Sequence, residues 1–208
     1  VSTGAKQSLA NVCLSLLNKD DEVLLPCPYW VSYAEIIKIA EALPVKIESD
    51  ISNDFKVTVE QLENAITSKT RMLMFSSPCN PSGTVYSQSE LEDISKMLEK
   101  YPNIFVVSDE IYEHINFTSS HFSIGSIEAM KDRTITVNGV SKGFAMTGWR
   151  VGFIGAPKWI ANACTKIQGQ ITSATCAVAQ KATERAMLAD PKSATSEMKE
   201  KFLIRRDY

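Results

Sequence analysis

The chain has 208 residues, of which 44% are hydrophobic and 22% are charged, and its formal net charge is −2. This composition is typical of a globular protein with enough apolar material for one domain and part of another. The slightly acidic balance argues against nucleic-acid binding, which usually requires a basic face. No apolar run approaches the ~20 residues that cross a bilayer. We therefore predict a protein with neither a nucleic-acid partner nor a membrane partner.

The five cysteines are scattered along the chain, at Cys13, Cys27, Cys79, Cys164 and Cys176. Their odd number and the lack of a C-x-x-C pair predict free thiols and no zinc site. No signal peptide precedes them, so we expect a cytoplasmic location. Because residue 1 is not Met and residue 208 follows a helical pattern, we also expect the chain to be a piece of a longer protein.

Short apolar runs alternate with helical patterns along the chain. In chain order, the patterns predict a helix over 6–17, a strand at 22–26, a helix through 36–40, a strand at 44–48, a helix over 58–66, a strand at 71–75, a helix over 87–100, strands at 103–108, 134–137 and 151–156, and helices from 158 onward, interrupted at residue 191. Such alternation predicts an α/β fold with a mostly parallel sheet between layers of helices.

Polar and aromatic side chains follow the ends of the predicted strands. Ligands of parallel sheets bind beyond the carboxyl ends of the strands, which makes these residues candidates for one site. They are Trp30, Asn80, Asp109, Tyr112, Ser141 and Lys142. Each alone has an ordinary explanation, because a lysine after a strand is usually a solvated charge and Asn-Pro-Ser-Gly is first of all a turn.

Taken together, these residues supply the parts of a pyridoxal phosphate (PLP) site. The predicted first helix begins with small residues and a lysine, Gly4, Ala5 and Lys6, and a helix N-terminus suits a phosphate. Arg150 is able to grip the same phosphate with two donors, and Ser141 adds a hydroxyl. A desolvated Lys142 is able to form a Schiff base, and a buried Asp109 is able to pair with a protonated ring nitrogen.

Three motifs extend this interpretation to a family. Ser-Asp-Glu-Ile-Tyr at 108–112, Asn-Pro-Ser-Gly at 80–83, and Ser-Lys at 141–142 with Gly-Trp-Arg at 148–150 resemble the signature of class I/II aminotransferases. These are PLP enzymes of the aspartate aminotransferase fold, and "PYWVSY", "VSDEIYEH" and "FAMTGWR" are most similar to the bacterial-type subgroup. The resemblance implies that residues 1–190 form part of the large domain of fold type I. Residues 191–208 would then begin the connection to a C-terminal small domain.

The resemblance also assigns roles to the candidate residues. Lys142 resembles the lysine that bonds to PLP and moves the proton between the substrate Cα and the cofactor, and Asp109 matches the partner of the ring nitrogen. Tyr112 and Asn80 match the groups that bind the phenolic oxygen of the ring, and Trp30 matches the aromatic residue stacked on it. The implied phosphate contacts are Gly4, Ala5, Lys6, Ser141 and Arg150.

The implied reaction transfers an amino group between an amino acid, with aspartate or a similar one expected, and a 2-oxo acid such as 2-oxoglutarate. Family members are homodimers, and the arginine that binds the substrate α-carboxylate lies in a segment that this sequence lacks. We therefore expect the 208 residues alone to be inactive. Cys79 replaces the first of two asparagines that are usual in the proline turn. Two alternatives stay open: a PLP-dependent lyase on the same fold (a C–S lyase, or one similar to aminocyclopropane-carboxylate synthase), and a non-catalytic regulatory domain.

Overall fold

The computed structural model describes residues 1–118, 120–189 and 191–208, apart from the side chains of residues 191–194. Its strands are β1 (Glu22–Pro26), β2 (Leu43–Ile47), β3 (Thr70–Ser76), β4 (Phe105–Asp109), β5 (Thr134–Gly139) and β6 (Gly152–Gly155). Its α-helices are α1 (Ala5–Leu16), α2 (Ser32–Ile39), α3 (Val59–Asn64), α4 (Gln88–Leu98), α5 (Lys158–Ile171), α6 (Ala177–Leu188) and α7 (Pro191–Asp207).

The strands form one six-stranded sheet in the order β2-β1-β3-β4-β5-β6. All neighbours are parallel except β5 and β6, which pair antiparallel with Gly139 opposite Gly152. The predicted α/β fold with a mostly parallel sheet is therefore confirmed. Because β3, β4 and β5 lie side by side, their carboxyl ends bring the segments that follow them to one edge of the sheet.

Helices cover both faces of the sheet and bury alternate residues of each strand. Val23 and Leu25 of β1 face one core, which is completed by side chains of α1, α2 and α5. Leu24, which lies between them, faces a second core that is completed by side chains of α3 and α4. Strands that are buried on both faces have continuous apolar runs, which is why these strands could be predicted from the sequence.

The helix starts differ in a way that bears on function. Ser87 and Glu90 form the predicted capping box before α4, and Thr58 and Gln61 form another before α3. Helix α1 has no side-chain cap, because it begins after Gly4, whose φ is +91°. Its first amide groups have no acceptor within the helix. No helix among the described residues is both long and apolar enough to cross a membrane.

Candidate active site

A cavity of about 220 Å³ lies at the edge of the sheet where β4 and β5 end and α1 begins. Nine of the ten residues proposed from sequence line it: Ala5, Lys6, Trp30, Asn80, Asp109, Tyr112, Ser141, Lys142 and Arg150. Gly4 is not among the lining residues, but it lies against the Arg150 guanidinium. The sequence did not single out three other lining residues, Tyr33, Ile111 and Thr147.

Asp109 is the last residue of β4, and its side chain is only 3% exposed. The Tyr33 hydroxyl donates a hydrogen bond to its Oδ2 at 2.7 Å, and the Ile111 amide donates to its Oδ1 at 3.2 Å. Burial raises the pKa of Asp109 to about 6, and the two hydrogen bonds act in the opposite direction. No cationic side chain of the described residues contributes to this pKa. A buried carboxyl group without a counterion is suited to a ligand that brings its own positive charge.

Tyr33 reaches Asp109 from the first turn of α2. The residue is 1% exposed, and its ring packs edge-on against Trp30 with 5.6 Å between the ring centroids. Burial, followed by the charge of Asp109, raises the pKa of Tyr33 well above its ordinary value. Tyr33 therefore stays a hydrogen-bond donor at any physiological pH. Trp30 carries the Lys6 ammonium over its ring, with Nζ 4.6 Å from the centroid.

Lys142 and Tyr112 come from the segments that follow β5 and β4. The Lys142 Nζ lies 5.7 Å from the centroid of the Tyr112 ring, and the Asn80 amide donates to the Tyr112 hydroxyl at 3.3 Å. Asn80 lies in a turn that is closed by the backbone of Cys79. The Cys79 amide donates to the Thr84 carbonyl, and the Cys79 carbonyl accepts from the Gly83 amide. Both backbone polar groups of Cys79 are therefore hydrogen-bonded within the turn.

The N-terminus of α1 and Arg150 meet at the other end of the cavity. A Cβ atom on Gly4 would lie 2.2 Å from the Arg150 Nη2, so only glycine leaves room for the guanidinium. The Arg150 backbone is itself left-handed, with φ of 54°, and its Nη1 donates to the Thr147 carbonyl at 2.8 Å. The first amide groups of α1, the Arg150 guanidinium and the Ser141 hydroxyl, which we call the anion cradle, are donors of the kind that bind phosphate groups.

The chain matches a known protein family over its whole length. A family model described as aminotransferase class I and II matches residues 1–208. The bifunctional aspartate aminotransferase and glutamate/aspartate-prephenate aminotransferase of Petunia hybrida is 48% identical over 188 residues, which cover 90% of this chain and 39% of the relative. The aspartate/prephenate aminotransferase of Nitrosomonas europaea is 46% identical over 192 residues, which cover 91% of this chain and 48% of the relative.

Solved structures agree with this match. The aspartate aminotransferase from Rhizobium meliloti superposes with a TM-score of 0.95 at 41% identity, covering 99% of this chain and 52% of that one. An aromatic aminotransferase from Pyrococcus horikoshii also has a TM-score of 0.95, at 38% identity, with coverages of 99% and 56%. The chain thus spans 39% to 56% of the length of these four relatives.

Proposed function

The chain belongs to the class I and II aminotransferase family, and from this premise we propose that it forms the cofactor-binding part of a PLP-dependent aminotransferase. One observation carries the proposal beyond the family. A single cavity collects a buried carboxyl group without a counterion, a lysine amine, and an uncapped helix N-terminus beside an arginine.

The residues of the cavity fit PLP. Asp109 would pair with the ring nitrogen, Lys142 with the aldehyde carbon, and Trp30 with the face of the ring. The phosphate would bind Gly4, Ala5, Lys6, Ser141 and Arg150. When bound, PLP supplies an electron sink that stabilises negative charge on the substrate Cα.

The side chains of this chain then have separable tasks. The negative charge of Asp109 would keep a ring nitrogen protonated, and Tyr33 holds that carboxylate in place with its hydrogen bond. Lys142 would hold the aldehyde end of the cofactor, and its amine would carry the proton to and from the substrate Cα. Tyr112 and Asn80, which are joined by a hydrogen bond, present donors to the phenolic oxygen of the ring.

We propose an amino acid and a 2-oxo acid as the substrates, with aspartate and 2-oxoglutarate as the pair to test. Support comes from the two relatives of 46–48% identity, whose names include aspartate. The Pyrococcus structure is named an aromatic aminotransferase yet superposes equally well. The shared fold therefore does not determine whether the amino-acid substrate has an acidic or an aromatic side chain.

We further propose that residues 1–190 form part of the large domain and that residues 191–208, most of which lie in α7, begin the connection to a small domain. The chain covers 39% and 52% of two relatives, which leaves room in those proteins for a further domain. A homodimer and a cytoplasmic location are also proposed. The five cysteines are free thiols, as expected in a reducing compartment.

Reductive trapping tests the lysine assignment directly. Full-length protein is loaded with PLP, treated with borohydride and digested, and the peptide that gains the mass of the reduced cofactor is identified by mass spectrometry. We expect the adduct on Lys142, no adduct in Lys142→Ala, and a normal adduct in Lys181→Ala, whose lysine is 81% exposed and pairs with Glu184. An adduct on another lysine would refute the assignment.

The reaction type is tested in the same preparation. Incubation with aspartate and 2-oxoglutarate should yield glutamate and oxaloacetate in equal amounts. Release of ammonia without amino transfer would favour the lyase alternative instead. Binding of PLP without turnover of any amino acid would favour the regulatory alternative.

A further inference from the structure

The two segments that carry Tyr112 and Lys142 touch each other outside the cavity as well as inside it. The Tyr112 turn comprises residues 110–115, and the Lys142 loop comprises residues 140–151. Parallel pairing of β4 with β5 brings their starting points together, with Asp109 opposite Val137. Two side-chain contacts also join the Tyr112 turn, one to the end of β5 and the other to the Lys142 loop.

The first of these contacts is a hydrogen bond between Asn138 and Glu113. The side-chain amide of Asn138, which is 8% exposed, donates to the Glu113 Oε1 at 2.8 Å. The carbonyl oxygen of the same amide accepts from the Gly139 backbone N–H at 2.7 Å. One amide group therefore connects the Glu113 carboxylate to the backbone that leads into Ser141 and Lys142.

The second contact is between His114 and the residues after Lys142. The His114 ring packs edge-on against Phe144 at 5.3 Å, and a Cβ atom on Gly143 would lie 2.6 Å from the His114 Cδ2. The His114 Nε2 lies 3.3 Å from the Glu113 Oε1 that accepts from Asn138. The Glu113 carboxylate thus lies against both Asn138 and His114.

Of the groups around Glu113, Asn138 donates a short hydrogen bond to its carboxylate, whereas the nearby His121 pairs with Glu110. Glu110 and His121 lie close by, with one ligand atom of each of the three groups within 4.8 Å of the others. His121 is committed to Glu110 at 2.7 Å, and Glu110 also accepts from the hydroxyl groups of Ser108 and Ser123. A carboxylate acceptor makes the Asn138 bond shorter and stronger than a bond between neutral groups.

We propose that Glu113 is a positioning residue, which through Asn138 sets the separation between the Tyr112 hydroxyl and the Lys142 amine. Glu113 directly follows Tyr112, and Asn138 precedes Lys142 by four residues, so slack in their bond is transmitted to both functional groups. Neither Glu113 nor Asn138 lines the cavity. The consequence for catalysis rests on the proposed function, whereas the mechanical link does not.

Hydrogen exchange tests the mechanical link without any cofactor. In the full-length protein, Glu113→Ala should speed amide exchange in peptides covering residues 139–146 by about tenfold, as expected when a hydrogen bond to a charged acceptor is lost. Glu113→Gln keeps an acceptor oxygen and should stay within about threefold of the wild type. Glu63→Ala is the matched control, because it removes a carboxylate that accepts from Lys100 at 2.8 Å on α3, away from the cavity.

The PLP-loaded protein supplies the functional readout. In Glu113→Ala, the pH at which the absorbance of the bound cofactor changes should shift by about half a unit or more, because that pH depends on how Tyr112 and Lys142 are placed. In Glu113→Gln, this pH should return to the wild-type value. Wild-type exchange in Glu113→Ala, or an unshifted titration, would overturn the proposal, as would a glutamine variant as impaired as the alanine variant. A full-length protein that binds no PLP refutes the proposed function, while the exchange experiment still decides the link.

Discussion

The Tyr33→Phe substitution isolates the hydrogen bond that controls the buried carboxyl group of Asp109. It deletes one oxygen atom, the donor of the 2.7 Å bond to Oδ2, and keeps the ring that packs edge-on against Trp30. The Ile111 amide remains as the donor to Oδ1. Any change in the ionisation of Asp109 therefore reports on the hydroxyl group alone.

The magnitude follows from the strength of that bond. A hydrogen bond to a charged group is worth about 1.5–3 kcal/mol, which corresponds to about one to two pKa units. The pKa of Asp109 is already raised to about 6 by burial. In Tyr33→Phe it should rise to about 7–8, so that much of Asp109 would be protonated at neutral pH in the cofactor-free protein.

Stability should follow the same shift. The folded state holds the Asp109 proton more tightly than the unfolded state, whose carboxyl group titrates near the ordinary 3.8. The contribution of this group to the free energy of unfolding therefore falls as pH rises from about 4 to 6, by about 3 kcal/mol in total. In Tyr33→Phe, the fall should continue to a pH of about 7–8.

The assay is a pH titration of the cofactor-free, full-length protein labelled with ¹³C at the aspartate carboxyl groups. The Asp109 resonance is identified by its loss in Asp109→Asn. Tyr86→Phe is the matched control, because its buried hydroxyl accepts from the Val57 amide rather than donating to Asp109. The reasoning fails if Asp109 titrates at an unchanged or lower pH in Tyr33→Phe, or if both tyrosine variants shift it equally.

Two further predictions concern the anion cradle and the charges near the site. Gly4→Ala should destabilise the protein by about 1–3 kcal/mol and weaken cofactor binding, since φ is +91° and the new Cβ would strike the Arg150 guanidinium. Thermal melting with and without PLP measures both effects, and Gly83→Ala, at φ +74° in open space, should show the backbone cost alone. Burial lowers the pKa of His121, but the hydrogen bond and charge of Glu110 outweigh it, and the pKa is raised. The His121–Glu110 pair therefore stabilises the fold fully below the ordinary histidine pKa, and this stabilisation is lost as pH rises through the raised pKa. Urea unfolding should therefore show a larger deficit for His121→Gln at pH 6 than at pH 9; an equal deficit at both would contradict it.

The positions of Asp109 and Lys142 could be predicted from sequence because buried parallel strands leave an unmistakable pattern. The apolar run of β4 ends at Val107, two residues before Asp109, and that of β5 ends at Val137, five residues before Lys142. Once the strands are located, the topology of a parallel sheet gathers their carboxyl ends without further information. The functional side chains could thus be grouped before any distance was known.

Tyr33 could not be recognised in the same way. It is an aromatic residue on the inner face of α2, where burial in the core is the ordinary explanation, and its partner Asp109 lies 76 residues away in the sequence. The one available signal is its spacing of three from Trp30, which places both on one side of a helix start. The direction of β6 was equally hidden, because an apolar run does not reveal which way its strand points.

The antiparallel pairing of β5 with β6 places two cavity-lining residues, Lys142 and Arg150, on one short loop. A parallel crossover would have started β6 at the opposite edge of the sheet, and the residues before it would have been carried away from the cavity. Because β6 runs backward, the chain that leaves β5 at Gly139 re-enters at Gly152 on the same edge. The loop that carries Lys142 and Arg150 is therefore anchored at both ends by neighbouring strands of the sheet, which limits the distance between these two residues.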